Sequence, residues 1–240
     1  MMEYSVIIPA AGQGKRMKAG KNKQFLTIEG QPLIVHTVAI FANDPVCKQI
    51  VVVASPSDLA DMEDLLDKWR LKSDKVTIAL GGAERQDSVY SGLKKLATPT
   101  TVILVHDGAR PFVTRKDIYK LTETAYENGA AVLGVPVKDT IKTVSDGMIQ
   151  QTLDRNTLWA IQTPQAFHYD MLVKAYEEAN NTSFYGTDDA SLVERLGSRI
   201  HITEGSYDNI KITTPEDIPV AKAILNKRKE EQKNEDRTWI

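Results

Sequence analysis

Apolar residues along the chain fall into two alternating patterns. Short β-branched runs at Tyr4–Pro9, Gln49–Ala54, Val76–Leu80 and Thr101–His106 read as strands buried in a parallel sheet. Helical stretches lie between them at Pro32–Ala42, Ser57–Trp69 and Glu84–Leu96. Pro32 suits the first turn of the first helix, and Ser57 can cap the second. Arg115–Asn128 then reads as helix and Ala130–Val135 as strand. The alternation predicts an α/β fold, a Rossmann-like doubly wound and mostly parallel sheet with helices on both faces. Ligands of such sheets bind at the C-terminal ends of strands. The loops at Gly12, Gly81-Gly82 and His106-Asp107-Gly108 each follow a predicted strand and so share that edge.

The pattern changes after Val137. Residues 138–159 contain no helical run, and Thr140–Val144 and Ile149–Leu153 alternate around Ser145-Asp146-Gly147-Met148. Asp-Gly between two such runs predicts a hairpin. A lone hairpin cannot bury a face. It either forms an arm packed on a second subunit or lies on its own domain. Helical pattern resumes at Tyr169–Asn180 and Asp188–Leu196, followed by a strand at Arg199–Thr203. Asn209–Thr213 is short and polar-edged, and Pro215–Lys227 is helical. Residues 228–240 are highly charged and read as a fraying or mobile tail. The whole, residues 1–240, reads as a single domain with 138–159 as its arm.

Composition narrows the function. With 42% hydrophobic and 26% charged residues, the chain is an ordinary globular protein. A net charge of −2 leaves no global basic surface for nucleic acid, so local basic clusters point to a small anion. The one cysteine, Cys47, cannot form an internal disulfide, which suits a reducing cytoplasm. The first apolar run ends at Pro9, so no secretory signal is expected, and no run is long enough to span a membrane. The four histidines show no metal-type spacing, and no nucleophile elbow is present. The chemistry must therefore come from positive charge, backbone amides and carboxylates.

Ala10-Ala11-Gly12-Gln13-Gly14-Lys15-Arg16 turns a buried strand into a small, basic loop where backbone N–H groups can approach phosphate. Lys23 adds charge at the same end. Neither common phosphate motif fits. Pro9 stands where a P-loop needs glycine and Arg16 where it needs Ser or Thr, while Met17 replaces the third glycine of a dinucleotide fingerprint. Gly81-Gly82-Ala83, with Ser88 one turn later, allows backbone contact with a flat base; alternatively it is a tight turn with Glu84, Arg85 and Asp87 on a solvated face. At the third loop Asp107 can approach a sugar hydroxyl or hydrated metal and Arg110 a phosphate, or the two can simply pair. Arg155 is a candidate phosphate clamp on the arm or an exposed charge, and Asn209–Thr213 places Lys211 beside an apolar strand, where a lysine is usually solvated.

Taken in order, Pro-Ala-Ala-Gly-x-Gly-x-Arg-Met, Lys23-Gln24-Phe25, Gly-Gly-x-Glu-Arg-x-Asp-Ser, His-Asp-x-Ala-Arg-Pro, Asp139-Thr140, Asp154-Arg155-Asn156, Thr163-Pro164-Gln165, Thr187-Asp188 and Asp208-Asn209-Ile210-Lys211 resemble the 2-C-methyl-D-erythritol 4-phosphate cytidylyltransferase family. Single motifs are weak, but the ordered set runs to about Asp217. The resemblance implies transfer of CMP from CTP to the polyol phosphate, with Mg²⁺, in non-mevalonate isoprenoid synthesis. By matching position it implies that Arg16 and Lys23 stabilise the transition state, and that Arg155 and Lys211 hold the incoming phosphate. Ala10, Ala11, Gly12, Gly14, Lys15, Gly82, Ala83, Ser88, Asp107 and Gly108 would receive the nucleotide. Asp107, Arg110, Thr140, Thr163 and Thr187 would line the acceptor pocket. Mg²⁺ would be held mainly by the CTP phosphates, with Asp107 a possible ligand. The family also implies a homodimer through interlocked arms, with Arg155 serving the partner's site. Gly108, where relatives often have Ala, departs from the pattern. A ribitol 5-phosphate cytidylyltransferase shares the fold and several loops, but Asp154–Trp159 and Thr187–Ser191 stand closer to the methylerythritol enzyme. A non-catalytic nucleotide sensor would have no need of all four cations.

Overall fold

The computed structural model describes residues 2–12, 22–97 and 99–237. Its first half runs β1 (Tyr4–Pro9), a small hairpin β2 (Thr27–Ile28) and β3 (Gln31–Pro32), α1 (Leu33–Ala42), β4 (Cys47–Ala54), α2 (Leu59–Lys68), β5 (Val76–Leu80), α3 (Arg85–Lys95), β6 (Val102–Val105) and α4 (Arg115–Asn128). The second half runs β7 (Ala130–Pro136), β8 (Lys142–Ser145), β9 (Met148–Thr152), β10 (Trp159–His168), α5 (Tyr169–Asn181), α6 (Asp189–Arg195), β11 (His201–Glu204) and α7 (Asp217–Arg237). Among the described residues the central sheet has seven strands in the order β11-β7-β10-β6-β1-β4-β5. All its pairings are parallel except those of β10, which runs antiparallel to both β6 and β7.

Strand period sets the two-sided core. Val6 and Ile8 of β1 face one layer with α1, α2 and α4, while Ile7 faces the other with α3, α5 and α6. All three are completely buried, each worth about 1.5–3 kcal/mol of apolar transfer. A third, smaller cluster joins Ile28, Leu33, Ala109, Phe112 and Ile212 to Ala221 and Ile224 of α7. It lies under the site loops and fixes their backbone. No helix among the described residues is long and apolar enough to cross a membrane.

Four elements differ from the sequence expectation. First, β10 has no counterpart in the apolar pattern, because Gln162, Thr163, Pro164 and Gln165 interrupt it. Tertiary bonds compensate. Gln162 donates to Ser206 O at 2.9 Å, and Gln165 donates to Asp188 at 2.7 Å and accepts from Ala190 N at 3.0 Å. Pro164, which lacks a ladder donor, falls within the register break between Ile161 and Gln165. Second, Ser57 does not cap α2. Pro56–Asp58 form a short 3-10 turn, and the Asp58 carboxylate is bound by Asn22 Nδ2 and Ser55 Oγ, both at 2.7 Å. Third, Asn209–Thr213 is not a strand. Fourth, α7 continues its helical backbone past Lys227 to Arg237. Arg228 donates to Phe112 O and Lys229 pairs with Glu29 at 3.2 Å, tying its middle to the body.

The Asp146-Gly147 turn has φ of 51° and 76°, the left-handed pair that a two-residue hairpin requires. Every residue of β8 and β9 is exposed, with Val144, Met148 and Ile149 at least 60% accessible.

Candidate active site

The end of β1 is held by its neighbours. Ala10 N donates to Val53 O at 2.8 Å, and Asn22 Nδ2 donates to Ala10 O at 3.2 Å. Asn22 also accepts from Gln24 N at 3.1 Å and so caps the short turn Lys23–Phe25. This places Lys23 at the mouth of a cavity of about 260 Å³ between the three loops, and its Nζ donates to Ile212 O at 3.2 Å. Ala11 and Gly12 line the cavity; Ala10 is buried just behind them. Gly14, Lys15 and Arg16 lie outside the described residues.

The second loop forms the facing wall. Gly81 N donates to Ala54 O at 2.8 Å, Gly82 N donates to Ser88 Oγ at 3.2 Å, and Ser88 Oγ donates to Glu84 O at 3.1 Å. A Cβ on Gly82 would stand 2.3 Å from Asp87 Cβ, so only glycine allows this fold-back. Gly82, Ala83 and Ser88 all line the cavity, a flat and small-residue surface.

Asp107 is the electrostatic centre of the site. It is 7% exposed at the end of β6, and its Oδ1 accepts from Arg85 Nε at 3.2 Å while Oδ2 pairs with Lys211 Nζ at 2.6 Å. Burial alone would push its carboxyl up; the Arg85 and Lys211 charges overcome this and hold it well below the usual carboxylate range. Its backbone N–H donates to Thr163 Oγ1 at 3.0 Å, and Thr163 Oγ1 lies 3.2 Å from His106 Nδ1. His106 Nε2 faces Arg110 O at 2.9 Å and must carry the proton there, so Nδ1 accepts from Thr163. Burial pushes this imidazole down to about 4, against the pull of its bond to Arg110 O. His106 is thus a neutral strut under Asp107.

Lys211 owes its position to Asn209. The buried Asn209 side chain donates to Thr163 O at 2.9 Å and to Gln162 Oε1 at 3.2 Å, and Ile212 N donates to Ala109 O at 2.9 Å. Gly108 packs tightly: a Cβ there would meet Ile34 Cδ1 at 2.9 Å and the Gln24 amide at 3.1 Å.

The cavity gathers Ala11, Gly12, Lys23, Gly82, Ala83, Ser88, Asp107, Gly108 and Lys211 from the sequence-derived set. Arg110, Thr140, Arg155, Thr163 and Thr187 are not in its lining. Arg110 does not pair with Asp107 at hydrogen-bond distance. Its Nη1 donates to Asn209 O at 2.7 Å, and burial pushes its guanidinium down while Asp107 pulls it up. Thr140 and Thr187 are exposed, and Arg155 stands on the arm, donating to Lys138 O at 2.8 Å.

Several residues of the site were not legible in the sequence. Arg85, read as part of a solvated face, is two-thirds buried and also binds the fully buried Asp189 at 2.8 Å. Tyr176 donates to the other oxygen of Asp189, completing a network from β6 to α6. Gln24 is 3% exposed on the cavity wall, and its Oε1 has no hydrogen-bond partner among the described residues. No local motif marks a guanidinium that must satisfy two carboxylates from distant segments. Its only signal is the charge beside a paired glycine turn.

Among the described residues, no three His, Cys, Asp or Glu side chains come together to hold a metal ion. The site offers cations and amides around the buried Asp107, with Glu84 also on the lining, and the cations and amides are the complement of a bound polyphosphate.

The chain is similar to known proteins in sequence and in fold. The family model for 2-C-methyl-D-erythritol 4-phosphate cytidylyltransferase matches residues 4–227. Curated proteins of that name from Bacillus velezensis and Halalkalibacterium halodurans are 55% and 51% identical, each over 93% of this chain and 96% and 97% of their own. A solved structure of 4-diphosphocytidyl-2C-methyl-D-erythritol synthase from Anaerococcus prevotii superimposes with a TM-score of 0.81 at 30% identity, covering 94% of this chain and 99% of its own. The cytidylyltransferase from Thermus thermophilus gives 0.76 at 32% identity, with 94% and 100% covered. A family match over residues 4–227, curated relatives more than half identical over nearly the whole chain and a shared fold mean that the chain belongs to the 2-C-methyl-D-erythritol 4-phosphate cytidylyltransferase family.

Proposed function

We propose that the cavity around Asp107 is where this chain performs its family's reaction, with Arg16 and Lys23 acting on the nucleotide phosphates, Lys211 holding the incoming acceptor phosphate and Arg155 reaching the site of a second copy. The enzyme is a nucleotidyltransferase: CMP passes from CTP to 2-C-methyl-D-erythritol 4-phosphate, giving the CDP-alcohol and pyrophosphate, a step of isoprenoid precursor synthesis. The observation that carries the site assignment is the convergence of Lys23 and Lys211 on one cavity at the ends of β1 and β6.

The chemistry follows from charge. An oxygen of the acceptor phosphate forms a bond to the α-phosphorus as the bond to the β-phosphate oxygen breaks, and pyrophosphate leaves with that electron pair. A phosphate monoester at neutral pH is already nucleophilic, so no general base is needed. The barrier lies in bringing two anions together and stabilising the charge-rich transition state. Lys23 and Lys211, both lining the cavity, provide fixed positive charge there. Gly82, Ala83 and Ser88 give the cytosine a flat wall, and Ala10 and Ala11 leave room for it. Asp107 keeps Lys211 extended into the cavity and stands where a ribose hydroxyl can be bound. The donor set fits a magnesium ion carried by the triphosphate, with Asp107 as its one protein carboxylate. That ion would supply charge neutralisation of the phosphates.

The acceptor half of the site draws on Arg110, Thr140, Thr163 and Thr187 and on Arg155 of a second copy. Support comes from the arm, whose exposed Val144 and Ile149 are cross-strand neighbours and present an apolar pair that an isologous dimer would cover. A reducing cytoplasmic setting suits the lone cysteine, Cys47, whose thiol burial pushes up to about 12. Pyrophosphate release from CTP, measured with methylerythritol phosphate and with ribitol 5-phosphate in turn, tests the reading. Release with the first and little with the second is expected; the reverse preference, or none, overturns it.

A further inference from the structure

The first turn of α3 carries side chains that reach both ways. Arg85 and Ser88 face the cavity, whereas Gln86 points away from it and is 8% exposed. The Gln86 amide closes on the segment before α6: its Nε2 donates to Phe184 O at 2.9 Å and its Oε1 accepts from Gly186 N at 3.0 Å. That segment has little freedom. A Cβ on Gly186 would stand 2.3 Å from Ser191 Oγ and 2.7 Å from Leu192 Cδ2, so its backbone is pressed against α6. Phe184 packs against the second core cluster, with Arg195 over its ring at 4.5 Å. One residue beyond Gly186 is the exposed Thr187, and then Asp188 caps α6 by accepting from Ser191 N at 2.9 Å. Arg85 adds a second tie to the same region through Asp189 at 2.8 Å.

We infer that Gln86 is a positioning residue for the acceptor half of the site: through Phe184 and Gly186 it fixes the loop that presents Thr187, so the turn that forms the nucleotide wall also sets the acceptor wall. This rests on the reading of Thr187 as part of the acceptor pocket. The amide fits the role because it satisfies one carbonyl and one N–H of the same short segment at once, which a hydrophobe of equal size cannot do. It carries no charge and does not line the cavity, so an effect on the acceptor must pass through the loop.

The test is steady-state kinetics of the full chain with CTP and methylerythritol phosphate. Gln86→Met keeps the side-chain volume and helix propensity. KM for the polyol phosphate should rise about tenfold while KM for CTP stays within about twofold, because only the acceptor loop loosens. Gln86→Glu keeps the acceptor for Gly186 N but loses the donor to Phe184 O. It sets a buried carboxylate against Phe184 O, so its rise in acceptor KM should be at least as large, and it serves as the readout if the methionine variant does not fold. In combination with Thr187→Ala, Gln86→Met should add little beyond the larger single effect, since both act through one contact. Unchanged acceptor KM in a folded Gln86 variant, an equal rise for both substrates, or multiplied effects in the double variant overturns the inference. If Thr187→Ala itself leaves acceptor KM unchanged, the Thr187 reading fails and takes the inference with it. A wild-type chain that does not turn over methylerythritol phosphate would instead sink the proposed substrate.

Discussion

Replacing Arg85 by Met removes the cation between two carboxylates while keeping most of the apolar stem. Asp189 has no exposed side-chain surface and Asp107 only 11%. Stripping one partner from a buried ion pair costs about 3–5 kcal/mol, since the other charge is left desolvated. Two features reduce that here. Lys211 still pairs with Asp107 at 2.6 Å, and Tyr176 still donates to Asp189. Arg85 is also 33% exposed, so water screens part of its field. The expected loss is about 2–3 kcal/mol, or about 5–10 °C in Tm for a chain of this size. Urea unfolding at pH 7 should show a lower midpoint with an unchanged slope. The pH dependence distinguishes this from simple packing loss. In the wild type Asp107 is held well below the unfolded carboxylate range, which contributes stability above that range and loses it as pH falls through the folded value. Without Arg85, the largest of the opposing charges is gone and burial raises the carboxyl again. The gap between wild type and variant should therefore narrow as pH falls below about 4.5. A loss under about 1 kcal/mol, or a gap constant with pH, would refute an Arg85 that holds the site by charge.

Three further outcomes are expected. Lys23→Ala should lower kcat by about 100-fold or more with a smaller effect on KM for CTP, as for a contact made mainly in the transition state; a near-normal kcat would remove Lys23 from the chemistry. His106 stays neutral in the folded chain down to about 4, whereas the unfolded imidazole takes its proton near 6.5. The unfolded state binds more protons across that window, so stability should fall by about 3 kcal/mol as pH drops from 6.5 to 4, and His106→Asn should flatten that slope in urea titrations. Nearly inactive Lys23→Ala and Arg155→Ala chains, co-refolded, should recover about a quarter of wild-type activity, because half the dimers are hybrids with one intact site in two. Verified hybrids without recovery would place Arg155 in its own subunit's site.

The parts of the fold read correctly from sequence are those where local pattern and burial agree. β1, β4, β5 and β6 are continuous apolar runs, and the Asp146-Gly147 turn declares its backbone conformation directly. β10 was not legible because a central strand with Gln162, Thr163 and Gln165 is stable only when Ser206, Asp188 and Ala190 arrive to bond them. Those partners lie 23 to 44 residues away. Ser57 failed as a cap for a related reason: Asn22 and Ser55 engage Asp58 instead, and the helix starts after it.

The same division runs through the site. Glycines and lysines at strand ends are visible because residue type by itself declares what each brings: Gly82 leaves space, and Lys23 brings charge. Arg85, Gln86, Asn209 and Asp189 work only in pairs with distant segments, and a single sequence carries no record of pairing. Yet these residues determine whether the visible ones are useful. Lys211 stands 2.6 Å from Asp107 because Asn209 pins its loop to β10 and because Arg85 keeps Asp107 ionised and in place. On the proposed reading an arriving acceptor phosphate competes with Asp107 for Lys211, and it meets a lysine already held in place by that contact. The ion pair thus keeps Lys211 oriented in the free enzyme, which lowers the ordering cost when the phosphate arrives. If that is its function, Asp107→Asn should weaken productive binding of methylerythritol phosphate even though it removes a negative charge from an anion site. Electrostatics alone would predict tighter binding, so a fall in KM for methylerythritol phosphate in Asp107→Asn would refute the preorganising role.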